Sequence, residues 1–112
     1  MRRSEQHRRE LSTMSEVFLR TSRHGRDTLV AVCDAELLGK TLQGGRVPFN
    51  VSEEFYKGIP AGVDEAVEAM RHATICNLIG KRIVEAAIEK RLVHQKAVIY
   101  FGDVPHAQIV KM

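Results

Sequence analysis

Residues 65–91 form the longest helix-compatible stretch of the chain, and a single helix cannot use all of it. At 1.5 Å per residue, a straight helix over that span would be about 40 Å long. A folded chain of this length has a radius of gyration of about 13 Å, so such a helix would overhang its own core. The sequence therefore predicts a break near Ala73 and Thr74, with Thr74 as a cap. The first helix runs from Glu65 to His72 behind Asp64, with Val67 and Met70 on its inner stripe. The second runs from Ile75 to Arg91. It sets Ile75, Ile79, Ile83 and Ala86/Ala87 on one face and Lys81, Glu85 and Glu89 on the other. Lys90 and Arg91 suit the negative end of its dipole.

The segments on either side read as strands. Val17-Phe18-Leu19 and Thr28 to Cys33 flank the turn His24-Gly25-Arg26-Asp27 and predict an antiparallel hairpin. Asp34 stands where it can cap one helical turn over Ala35–Leu38, ended by Gly39. Val47, Phe49 and Val51 alternate with polar or proline positions, and Pro48 marks that strand as an edge. Ser52 caps a short turn through Tyr56, and Gly58 to Gly62 is a loop. Val98 to Phe101 is a strand, Gly102-Asp103-Val104-Pro105 a turn, and Ala107 to Met112 a short terminal strand. Helices set between groups of strands predict an α+β fold, a mainly antiparallel sheet with a helix pair packed on one face.

At 112 residues there is room for one domain. An apolar content of 44% with 28% charged residues suits a soluble globular chain. No apolar run reaches the roughly 18–20 residues that span a bilayer, so no membrane partner is expected. Cys33 and Cys76 are too few for a disulfide scaffold, which points to a reducing cytoplasm. The net charge is +3, and most of it lies in residues 1–13, where Arg2, Arg3, Arg8 and Arg9 face only Glu5 and Glu10. This basic extension, with Leu11 as its one apolar residue after Met1, has no face to bury, so the domain proper is residues 14–112. Deleting residues 1–13 is expected to leave stability within about 0.5 kcal/mol. A fall in Tm of more than about 5 °C would place the extension in the fold.

Four segments carry a resemblance: CDAELLGKT (Cys33–Thr41), VSEEFY (Val51–Tyr56), ATICNLIGKRIVEAAIEKRLV (Ala73–Val93) and GDVPHAQIV (Gly102–Val110). Together they resemble the small archaeal family that carries domain of unknown function 424. The resemblance implies an archaeal, cytoplasmic protein and assigns no chemistry. It also implies a start near the first strand, where Met14 stands as an alternative to Met1.

Candidate sites follow from single residues. Gly80 within the helical run costs about 1 kcal/mol against alanine and so needs a reason, either close packing or backbone approach to a ligand. Asn77, three positions earlier, must find hydrogen bonds if buried, and tying down a loop is its expected work. Ile79-Gly80-Lys81-Arg82 is half of the two-glycine clamp of KH domains, because Ile83 stands where the second glycine belongs. His106 follows a proline and shares a strand face with Gln108. It could act as a base, or its ring could pin the strand through a backbone carbonyl. Cys33 ends an apolar strand and reads as buried and structural. The five histidines have no metal-ligand spacing, and no nucleotide loop is present, so neither metal nor cofactor is expected.

Two readings remain. The first is a non-enzymatic binding module, touching RNA or the translation machinery through Lys81, Arg82, Arg91 and the basic extension. The second is a small-molecule or catalytic site, which requires Asp34, Lys40, Asn77, His106 and Gln108 to converge in one pocket. A homodimer through the Pro48 strand or the terminal strand is a further expectation.

Overall fold

The computed structural model describes residues 16–112, so the expectations for the extension and for Met14 lie outside the described residues. The predicted hairpin forms from β1 (Val17–His24) and β2 (Asp27–Asp34), in register from Val17 opposite Asp34 to His24 opposite Asp27. Gly25 turns it with a φ of 64°. One 3-10 turn (Ala35–Leu37) leads to a small two-stranded ladder, β3 (Thr41–Leu42) and β4 (Phe49–Asn50). The short helix α1 (Glu53–Tyr56) is capped by Ser52, whose hydroxyl accepts from the Phe55 amide. Then come β5 (Ile59–Ala61), α2 (Val63–Arg71), β6 (Ile75–Ile79), α3 (Lys81–Glu89), β7 (Ile99–Phe101) and β8 (Val104–Val110). The six-stranded sheet has the order β5-β1-β2-β6-β8-β7. The fold is mixed α and β with a mostly antiparallel sheet. The β2–β6 pair is parallel, and the crossover between them carries α2.

The second predicted helix is corrected at its start. Ile75–Ile79 is a strand, and the helix begins only at Lys81. β6 is flanked by β2 and β8 and is covered on both faces. Buried parallel strands read as continuous apolar runs, and five such residues fit either period. Gly80 makes the break with a φ of 123°, a value no helix interior allows. Asn77 and Gly80 are therefore not neighbours on a helix face.

Three further expectations change. The stretch from Gly58 to Gly62 contains β5, which pairs with β1; Pro60 is accepted because β5 is an edge. Only Phe49–Asn50 of the Val47–Val51 segment is strand, and it lies outside the main sheet, with Val47 68% exposed. The terminal strand begins at Val104 rather than Ala107. It lies between β6 and β7, but β7 covers only Val104 to His106 of its outer edge, so among the described residues that edge is unpaired from Ala107 to Val110.

Two hydrophobic clusters hold the sheet. One joins Ala66 and Met70 of α2 and Ile83, Val84 and Ala87 of α3 to Val30, Val32, Cys76 and Leu78. The other joins Ala31, Cys33 and Ile79 to Val51 and Tyr56, with Phe49 and Phe101 packed against them. Alternation along β2 puts these clusters on opposite faces.

α3 ends in a Schellman turn, with the Leu92 amide donating to the Ala87 carbonyl at 2.9 Å and the Arg91 amide to Ile88 at 3.0 Å. Arg91 occupies the left-handed position with a φ of 62°, the one non-glycine to do so among the described residues. Arg91→Gly is therefore expected to stabilise the fold by about 0.5–1 kcal/mol. Thermal denaturation should show a rise of roughly 3–6 °C. An unchanged Tm would mean that the arginine side chain offsets the strain by packing.

Candidate nucleic-acid interface

The sheet has two chemically different ends. At the upper end, where β2 and β6 finish, Asp34 is 3% exposed. It does not cap the turn that follows it. Its carboxylate instead accepts from the first amides of α3, Arg82 N at 2.8 Å and Ile83 N at 3.1 Å. Negative charge at a helix N-terminus is favourable, and these amides have no partner inside the helix. The Arg82 guanidinium lies 3.9 Å from Asp34, donates to Glu36 at 3.0 Å and donates to the Glu16 carbonyl at 3.0 Å. Burial raises the Asp34 carboxyl above its usual range, against the two amides and Arg82. Arg82 in turn holds Glu36 below its usual range. Every charged group of this knot has a partner, so it fixes β2 to α3.

Lys81 pairs with Asp103 at 3.7 Å at the same end. Lys40 lies there too, exposed at the start of β3. Among the described residues, Glu53, Asp64 and Glu65 join Glu16, Asp34, Glu36 and Asp103, leaving the upper end acidic.

Asn77, His106 and Gln108 lie on the face away from α2 and α3. Asn77 is directly opposite Gln108, and Ile79 is opposite His106. Diagonal neighbours of this kind are about 7–8 Å apart, so the three form one polar strip. The Asp34 side chain lies under α3, on the other side of the sheet. The register thus unites three of the candidate residues and separates Asp34 from them.

The His106 ring stacks among aromatics, 5.4 Å from Phe49 and 6.1 Å from Phe101 between centroids, where a carbonyl partner was expected. Burial holds its pKa below the usual value of 6.5. Below that pH the unfolded chain takes up a proton that folded His106 resists. Stability is expected to fall as pH drops through 6.5 and to level off below the folded pKa. Urea midpoints measured between pH 7 and 5 should fall less in His106→Phe, and an equal fall in both proteins would contradict this. Cys33 is fully buried, and burial pushes its thiol up to about 12, so it offers no nucleophile at neutral pH.

The lower end, where β2 and β6 begin, is basic. The hairpin tip brings Arg23 and Arg26, the end of α2 brings Arg71, the end of α3 brings Lys90 and Arg91, and β8 is followed by Lys111. Lys96 lies on the segment leaving α3. The acids here are Asp27, Glu68 and Glu89. Side-chain contacts join the elements: the Thr74 hydroxyl donates to Asp27 at 3.0 Å and accepts from the Thr28 amide at 2.9 Å. The Lys111 ammonium donates to the Met70 and Arg71 carbonyls at 2.9 and 3.0 Å, capping α2. Arg71 lies 4.0 Å from Glu68. Lys111 and Arg71 thus serve the helix end, while Arg23, Arg26, Lys90 and Arg91 are exposed.

A family model described as Protein of unknown function (DUF424) matches residues 21–112. The chain belongs to the DUF424 family. This DUF424 chain is also similar to a solved structure, the crystal structure of an uncharacterized conserved protein from Methanopyrus kandleri. The TM-score is 0.73 at 26% identity, covering 86% of this chain and 93% of that one. No curated protein matches the sequence. In this DUF424 chain the basic end escapes sequence reasoning, because its residues are scattered from Arg23 to Lys111 and only the strand order gathers them.

Proposed function

We infer that the protein is a non-enzymatic binding module whose lower end contacts RNA phosphates. The separation of charge along the strands carries this reading. The body is nearly neutral, yet the lower end is basic while the upper end is acidic, and phosphate binding needs clustered bases rather than a net surplus. Arg91 adds support. A glycine would relieve its left-handed backbone, and an arginine there is the kind of outlier that motivates a functional reading. Of the contacts expected from sequence, Arg91 lies on this surface, whereas Lys81 and Arg82 lie at the acidic end with ion-pair partners.

The small-molecule reading has less support. Asp34 is occupied by the α3 amides and is divided by the sheet from Asn77, His106 and Gln108. A filter-retention assay tests the leading reading. Structured RNA should be held at about 50 mM salt and released progressively as salt rises. No retention at low salt would contradict it.

A further inference from the structure

A cleft of about 280 Å³ opens on the sheet face away from α2 and α3, between the β1–β2 hairpin and α1. Arg20, Ser22, His24 and Leu29 line it from the sheet, and Glu54 and Phe55 from the short helix. It is smaller than the about 300–1,000 Å³ of pockets that enclose whole metabolites. Its volume and lining suit one flat ring. Leu29 supplies an apolar floor, and Phe55, 37% exposed, supplies an aromatic wall. Arg20 offers donors and Glu54 an acceptor. Ser22 and His24 are 3.1 Å apart and can each give or take a hydrogen bond.

The cleft also has a position relative to the charge. Ser22 and His24 alternate along β1 with Arg23, and Arg26 follows in the turn, so the cleft opens beside the basic end. In the same ladder, the row through Arg20 and Ala31 continues to Asn77 and Gln108. A strand whose phosphates lie on the lower end would therefore pass its bases along this face. We propose that the cleft takes one unpaired base of an RNA strand, favouring bases that carry an exocyclic amine, because Glu54 can only accept. A base held in a duplex could not enter, since its ring faces are stacked and its edge is paired. This specificity rests on the RNA-binding reading and narrows it to unpaired segments of RNA, whether free strands or loops of a structured one.

Fluorescence anisotropy with labelled ten-nucleotide strands of A, C or U, and with a duplex of the same length, tests it. Oligo-C and oligo-A should bind at least about fivefold more tightly than oligo-U or duplex. Phe55→Ala should weaken every single strand by about fivefold or more, the scale of one lost base–aromatic stack. Glu54→Gln should remove most of the preference for C over U, because the amide can donate to the uracil carbonyl as well as accept from the cytosine amine. Both residues are exposed, so loss of fold does not mimic these effects, and circular dichroism verifies that. Equal binding of all strands and duplex, unchanged by Phe55→Ala, overturns the cleft while the phosphate-binding reading survives. Absence of binding to any RNA overturns both.

Discussion

Replacing Gly80 by alanine is expected to lower Tm by roughly 10–20 °C, and two costs combine to give that size. The backbone at Gly80 has φ 123° and ψ 149°. That region is essentially restricted to glycine and costs other residues about 1–3 kcal/mol. A β-carbon there would also stand 2.3 Å from Asp34 Cγ, with both carboxylate oxygens at 2.6 Å. Asp34 is buried and holds the Arg82 and Ile83 amides, so it could give way only by releasing them. Losing a helix cap costs about 0.5–2 kcal/mol more. The two costs are coupled, which gives a sharper check. In an Asp34→Ala background the obstruction and the cap are already gone, so adding Gly80→Ala should cost only the backbone term. Chemical denaturation of both single variants and the double variant measures this coupling. Strict additivity would mean that Asp34 and Gly80 do not act as a unit.

This pair also shows how sequence and fold diverge. Gly80 is visible in the sequence as a glycine that needs a reason, and close packing is one of the two reasons it suggests. What it packs against is not visible, because Asp34 is distant in the chain and is adjacent only through the parallel pairing of β2 with β6. Asp34 was legible as a helix cap, but of the wrong helix. Hairpin pairing was legible because the turn chemistry of His24–Asp27 and the flanking β-prone runs agree. β6 was not, because burial on both faces erases the period-two alternation that identifies a strand. Likewise, His106 and Gln108 on one face followed from alternation alone, whereas their meeting with Asn77 depended on reading Ile75–Ile79 as a strand.

The second large effect concerns charge position. Removing Arg26, Lys90 and Arg91 together, each to alanine, should weaken RNA binding by about tenfold or more at low salt. The slope of log affinity against log salt should become shallower by about 2, since each single-strand phosphate contact contributes about 0.7. Removing Lys40, Lys81 and Arg46, the last on the β3–β4 loop whose Gly44 lies against Gly102 in the β7–β8 turn, subtracts the same charge from the acidic end. If net charge alone governed attraction, both triple variants would lose affinity equally. If the lower end is the contact surface, the second variant should keep nearly the parent slope.

The decisive measurement is that salt slope, taken for the parent and both triple variants on one labelled RNA strand. A slope that flattens only when Arg26, Lys90 and Arg91 are lost is the expected result. Equal flattening in both variants, or no binding by the parent at about 50 mM salt, would contradict recognition of RNA by the lower end.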